Sequence, residues 1–159
     1  MIGAVDRGRE AVTDIAFYHL SRHPLEKALP RLLEKTLEAG KRAVVIAGSD
    51  DRVEMLNGLL WTYDPDSWLP HGGAKDSEAA DQPVWLTTRD ENPNGAQFLF
   101  LADGATSASL ASFERCFDLF DGNDEAQLAA ARARWKVYKD AGHALAYWQQ
   151  TESGWKKKD

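Results

Sequence analysis

Apolar and polar residues alternate between two rhythms along this chain. The segment Asp14-Ile-Ala-Phe-Tyr-His-Leu20 is a short apolar run rich in aromatic and branched residues, and it predicts a first strand. From Pro24 to Ala39 the rhythm changes. Leu25, Ala28, Leu29, Leu32, Leu33, Thr36 and Leu37 recur at helical spacing, with Ser21 or His23 as candidate caps and Pro24 suited to a first helical position. Pro30 falls inside this pattern and marks a kink or a later start, and Gly40 is the expected stop. Arg42–Ala47 is a continuous apolar run, the signature of a strand covered on both faces. A second helix is expected from Asp51 to Trp61, after the turn at Gly48, Ser49 and Asp50.

The middle of the chain is punctuated by turn residues. Tyr63–Gln82, with Pro65, Pro70, Gly72 and Gly73, reads as a long loop. Pro83–Thr87 and Gln97–Ala102 read as strands on either side of the turn Arg89–Gly95. Ser109–Arg115 predicts a short helix, Cys116–Phe120 a fifth strand, and Glu125–Ala141 the longest helix. Alternating strands and helices predict one three-layer α/β/α domain over residues 13–150, with a mainly parallel sheet of about five strands. Residues 1–12 lack periodicity and are expected to be a flexible extension. Residues 151–159 are expected to be a polar, frayed tail whose Lys156–Lys158 run is simply solvated.

Composition narrows the chemistry. The net charge of −6 gives no general attraction to nucleic acid, so any contact with nucleic acid machinery requires a local basic patch or a protein partner. The one cysteine, Cys116, can form neither an internal disulfide nor a cysteine-based zinc site, and its apolar neighbours predict a packed thiol. No apolar run approaches the length of a membrane span and no apolar signal core opens the chain, so a cytoplasmic location without membrane contact is the expectation.

A search for catalytic chemistry returns only weak signals. Gly40-Lys41 is followed by Arg42 rather than Ser or Thr, lacks the upstream glycine of a phosphate loop, and precedes a strand instead of a helix. Asp103, after an apolar run, reads as a polar turn residue in the absence of such a loop. His19 and His23 lack a third metal ligand, and His71-Gly72-Gly73 has no accompanying nucleophile turn. Ser49 and Ser107 fit capping or turn roles. Neither a cofactor nor an enzymatic activity is expected.

The last long helix stands out. Arg132 and Lys136 are four residues apart and share a helical face, beside Trp135. Leu128, Ala131, Trp135 and Tyr138 form an apolar stripe along that basic edge, which packing against the sheet would also explain. Trp61, Trp68 and Trp135 are aromatic anchors of the kind that binding surfaces use.

Three stretches together carry a resemblance. They are Gly40-Lys-Arg-Ala-Val-Val-Ile-Ala47, then Leu60-Trp61 followed by Asp66-Ser-Trp-Leu-Pro-His71, and finally Ala133-Arg-Trp-Lys-Val-Tyr138 followed by Ala141-Gly142. In order and spacing, from about Thr13 to Trp148, the chain resembles the chi subunit of bacterial DNA polymerase III. The resemblance implies a mononucleotide-binding-like fold without a nucleotide site, and a non-catalytic adaptor with two partners. One is the acidic C-terminal tail of single-stranded DNA-binding protein, which ends in a phenylalanine carboxylate. The other is the psi subunit, which tethers chi to the clamp loader. By family position, Arg132 is the carboxylate clamp and Lys136 a supporting charge, while Trp135, Phe120 and Trp61 line the phenyl pocket with Trp68 nearby. The sequence departs from the family where Leu128 replaces a lysine, where Trp135 replaces a tyrosine, and in a loop after Phe120 that is one residue longer. Two other readings share this α/β frame: a diverged nucleotide-binding enzyme, and a direct single-stranded DNA binder using Trp61, Trp68 and the basic helix.

Overall fold

The computed structural model describes residues 13–22, 24–62, 71–73 and 79–158. Its centre is one eight-stranded sheet, ordered β3-β4-β2-β5-β6-β1-β7-β8. In chain order the strands are β1 (Asp14–Leu20), β2 (Ala43–Ile46), β3 (His71–Gly73), β4 (Val84–Thr87), β5 (Phe98–Leu101), β6 (Arg115–Asp121), β7 (Ala144–Thr151) and β8 (Gly154–Lys158). All neighbouring pairs from β3 to β7 are parallel, and β8 alone runs antiparallel, to β7. Among the described residues three α-helices cover the sheet: α1 (Leu25–Glu38), α2 (Asp50–Thr62) and α3 (Glu125–Asp140).

Strand residues alternate between two cores, as the pleat dictates. Ala16, Tyr18, Val45, Phe100, Phe117 and Leu119 pack beneath α1 and α2, whose Leu29, Leu33, Leu56 and Leu60 are buried against them. Ile15, Phe17, Val44, Leu99, Cys116 and Phe120 pack on the other face, beneath Ala131 and Tyr138 of α3. The expected α/β architecture is the observed one. Cys116 is fully buried, and that burial pushes its thiol pKa up, as befits an inert packed group.

The sheet is wider than the expected five strands. β3 lies in the segment expected to be a loop; His-Gly-Gly has no apolar rhythm, and it pairs in parallel with the edge of β4. β7 is a further strand beyond the expected five; it opens on the apolar run Ala144–Trp148 yet is half-buried, with Leu145 and Tyr147 facing α3 and Trp148 the other core. The polar segment expected to fray instead forms β8. A two-residue loop, Glu152-Ser153, closes the hairpin, and the Trp155 ring meets Tyr18 edge-on at 4.9 Å. One apolar anchor and the backbone ladder therefore hold a strand that is otherwise lysine.

Helix ends follow local chemistry. The N-cap of α1 is Pro24 itself, without a side-chain cap, in place of the expected Ser21 or His23. Pro30 is accommodated and buried within the helix. Asp124 caps α3, accepting from the backbone N–H groups of Ala126 and Gln127 at 2.9 and 3.1 Å. Gly40 and Gly142, at φ of 75° and 89°, end α1 and α3 in the left-handed conformation. There the N–H groups of Gly142 and His143 return to the Lys139 and Tyr138 carbonyls, which turns the chain directly into β7.

The orientation of α3 is fixed by a buried ion pair. Arg134 donates through Nε and Nη2 to both oxygens of Asp118 on β6, at 2.7 and 2.9 Å. The Asp118 side chain is 2% exposed and that of Arg134 is 12% exposed. Burial pushes the Asp118 pKa up, and Arg134 only partly offsets this. Removing Arg134 strands a buried carboxylate. Arg134→Met is therefore expected to cost about 3–5 kcal/mol near neutral pH in denaturant melts. Because the folded pKa of Asp118 is already raised, the loss shrinks as pH falls and the carboxyl gains its proton. The double variant Asp118→Leu/Arg134→Met should recover most of that stability; a double variant as unstable as Arg134→Met would refute this account.

Candidate functional site

Two rows of side chains cross the α3 face of the sheet. Strand register aligns Asp118, Phe17, Tyr147 and Lys158 in one row, and Phe120, His19, Gln149 and Lys156 in the next. α3 covers the β6 end of these rows. At the β7–β8 end they stay open, and a groove of about 420 Å³ runs between helix and edge strand, lined by His19, Leu128, Arg132, Trp135, Tyr147, Gln149 and Lys158. Leu128, Arg132 and Trp135 follow each other at helical spacing and form the α3 wall. His19, Tyr147 and Gln149 form the floor, and Lys158 stands opposite on β8.

The floor is a connected aromatic layer. Trp135 meets Phe17 at 5.2 Å and Tyr147 at 5.7 Å, both edge-on. Tyr147 OH and His19 Nδ1 are 2.6 Å apart, in hydrogen bond contact. Phe120 supports the His19 ring from the core at 5.3 Å. On the far side His19 lies against Gly122, where any Cβ would fall 1.8 Å from the His19 Nε2. Glycine leaves room for the ring in this orientation, and a side chain there would require it to shift.

Electrostatically the groove is a local exception to an acidic chain. Among the described residues neither Arg132 nor Lys158 has a carboxylate within ion-pair distance. Burial lowers the His19 pKa, and the Lys158 and Arg132 charges lower it further, against a smaller opposing pull from Asp121. Burial raises the Tyr147 pKa, with Arg132 opposing. At neutral pH the floor is therefore uncharged beneath two free cations.

A second crevice, of about 330 Å³, lies at the carboxyl ends of β1 and β6 and takes in Ser21, Arg22, Glu26, Arg52, Asp103 and Asn123. Its cations are already neutralised. Arg52 bridges Glu26 at 2.7 Å and Asp103 at 3.2 Å, and Arg22 pairs with Glu152 at 3.2 Å. Asp103, at a φ of 56°, also accepts from the Gly48 N–H and is a structural turn residue. The two serines of the sequence search are likewise occupied. Ser49 Oγ accepts from the Arg52 N–H, and Ser107 donates to Asp90 at 2.6 Å. Among the described residues no cluster of three or more His, Cys, Asp or Glu side chains could hold a metal, and no helix is long and apolar enough to cross a membrane.

Of the residues singled out from sequence, Arg132 and Trp135 meet in the groove. Phe120 is 2% exposed and acts from beneath, through His19. Lys136 is exposed one helical turn beyond Arg132, outside the groove lining. Trp61 ends α2, which packs on the opposite face and over β3 and β4, some five strands or roughly 24 Å from β7. Trp68 lies outside the described residues. His19, Leu128, Tyr147, Gln149 and Lys158 were not singled out for the groove. The alternation Leu145/Tyr147/Gln149 was the available signal, since it implies a strand with one face toward α3.

The fold and these two sites define a doubly wound α/β domain whose switch-point crevice is filled by its own ion pairs and whose open cationic groove lies at the sheet edge. Residues 12–146 match the family "DNA polymerase III chi subunit, HolC", and the chain belongs to that family. It is 31% identical over 105 residues to the "Probable DNA polymerase III subunit chi" of Rickettsia prowazekii (strain Madrid E), a match covering 66% of this chain and 64% of that protein. The fold is also similar to "Structure of the C-terminal domain of the DEAD-box protein Dbp5", with a TM-score of 0.53 at 13% identity over 87% of this chain and 92% of the other. That likeness is one of fold alone.

The floor makes a pH prediction. The folded pKa of His19 lies below its ordinary value of 6.5, so the unfolded chain binds more protons there. Its contribution to stability is complete above about pH 6.5 and is lost as pH falls through the folded pKa. A His19→Asn variant should lose less melting temperature than the parent between pH 7 and pH 5 by calorimetry; equal losses would contradict the assignment.

Proposed function

We propose that this chain is a non-catalytic replication adaptor that takes the acidic C-terminal tail of single-stranded DNA-binding protein into the groove between α3 and β8. The observation that carries the reading is the pairing of an unneutralised arginine, Arg132, with an aromatic floor of Trp135 and Tyr147 in one open groove. A terminal carboxylate calls for charge-assisted hydrogen bonds from a guanidinium, and the phenyl group of a terminal phenylalanine calls for an apolar, aromatic surface. The groove offers both within one helical turn of α3. Lys136 adds positive potential at the rim, while Phe120 acts by fixing His19.

Family membership supports the wider role. A chi subunit serves the replicative polymerase as an accessory protein, and in this reading the chain links the clamp loader to template coated by single-stranded DNA-binding protein. The second link, to a psi subunit, rests on the family alone, and no surface of this chain is assigned to it. Direct DNA binding is disfavoured by the net charge of −6 and by the separation of Trp61 from the basic helix. An enzyme on this frame is disfavoured by the neutralised arginines at the switch point.

Calorimetric titration with an acidic peptide ending in phenylalanine is the test. Arg132→Ala should weaken binding by roughly tenfold to a hundredfold, the loss typical of a hydrogen bond to a charged group. Amidating the peptide's C-terminus should cost the parent protein a similar factor, and should cost Arg132→Ala nothing further. Affinity should fall with salt. Equal affinities of parent and Arg132→Ala would sink the clamp.

A further inference from the structure

The family match ends at residue 146, whereas the groove is completed by residues beyond it. β8 lies wholly outside the match, and it places a lysine in the groove wall facing α3. Register determines which lysines face that way. Lys158 stands opposite Tyr147 and Lys156 opposite Gln149, both on the groove side, whereas Lys157 pairs with Trp148 and points to the other face. The α3 wall directly across carries Leu128, an uncharged position one turn before Arg132. Lys156 and Lys158 are exposed and, among the described residues, have no carboxylate partner.

β8 is also the sheet edge, so its outer backbone groups are not paired within the sheet. The strand is held without its lysines: the ladder to β7, the Thr151 Oγ1 bond to the Gly154 carbonyl at 3.1 Å, and Trp155 on Tyr18 account for its placement. Three successive lysines on an edge strand would deter edge-to-edge pairing, but that does not require two of them to face a groove that already holds a free arginine.

We propose that β8 is a charge-supplying second wall of the groove, in which Lys158 and Lys156 bind carboxylate side chains of an extended acidic peptide upstream of the terminus held by Arg132. This rests on the peptide-binding reading above and extends it. The occupant follows from charge complementarity. A strip with Arg132 on one side and Lys156 and Lys158 on the other, on a chain of net charge −6, suits a short anionic segment whose charges fall along one line. A nucleic acid strand would need a broader basic surface. β8 thereby supplies from the sheet edge the positive charge that Leu128 does not supply from the helix.

The experiment compares two peptides with the same C-terminal phenylalanine, one with aspartates upstream and one with asparagines in their place. They are titrated against the parent, Arg132→Ala and the double variant Lys156→Gln/Lys158→Gln. The double variant should bind the aspartate peptide roughly three- to tenfold more weakly than the parent, as expected for two solvent-facing ion pairs, with a flatter salt dependence. It should bind the asparagine peptide as the parent does. A Lys158→Glu variant should recover affinity for a peptide with lysine upstream, which shows that the groove is intact. If the parent binds the aspartate peptide through Arg132 but the double variant matches it, the β8 proposal falls and the groove reading stands. If the parent binds neither peptide, both fall. Tight single-stranded oligonucleotide binding that the double variant loses would also overturn the proposal.

Discussion

A carboxylate buried under a helix must have a partner, and in this fold the fork between Asp118 and Arg134 meets that requirement. The pair sets more than the position of α3. Arg132 and Arg134 are two residues apart, about 200° around the helix axis. With Arg134 drawn inward to β6, Arg132 is carried out to the opposite flank, toward β7 and β8. The inward arginine fixes the rotation that the outward one uses. Trp135 sits between these roles, one side against Phe17 in the core and the other against Tyr147 in the groove floor.

The two crevices described above are treated in opposite ways. Open α/β sheets receive ligands outside the carboxyl ends of their strands, where successive crossovers diverge to opposite faces. Here that point lies between β1, whose chain leaves through α1, and β6, whose chain leaves through α3. Arg52 fills it, satisfied on both sides by Glu26 and Asp103. Arg132, Lys156 and Lys158, without carboxylate partners among the described residues, stand instead at the sheet's far edge. The fold thus has the layout of a doubly wound α/β domain, while the groove with free charge lies at a place suited to an extended chain.

Sequence pattern made most of the frame legible. β1 runs over the predicted residues, and β2, β4, β5, β6 and the three helices fall within a residue or two of expectation, because each is a strongly apolar strand or a periodic helix. The edges were hidden for a physical reason. An edge strand is buried on fewer sides, so β3 can be His-Gly-Gly and β8 can be mostly lysine. The site suffered the same blindness. Arg132 and Trp135 were visible as a helical pair, but what faces them lies on β7, whose apolar run gives way to polar residues, and on β8, which is mostly lysine. Trp61, grouped with them by family position, proves to stand on another helix across the sheet. Position in a pattern does not carry the three-dimensional register that joins Tyr147 to Lys158.

The contact between His19 and Gly122 has a consequence for how such a groove can change through descent. The two positions are over a hundred residues apart in the chain, yet the imidazole occupies the space where a side chain at 122 would begin. A side chain at 122 therefore requires either that the ring at 19 swing away, at the expense of its Tyr147 bond, or that position 19 become small first. Drift in one order leaves the floor's hydrogen bond in place until the histidine itself is lost, and in the other it breaks that bond at once. A relative with a side chain at 122 should accordingly have a smaller residue at 19, or an imidazole that no longer meets Tyr147.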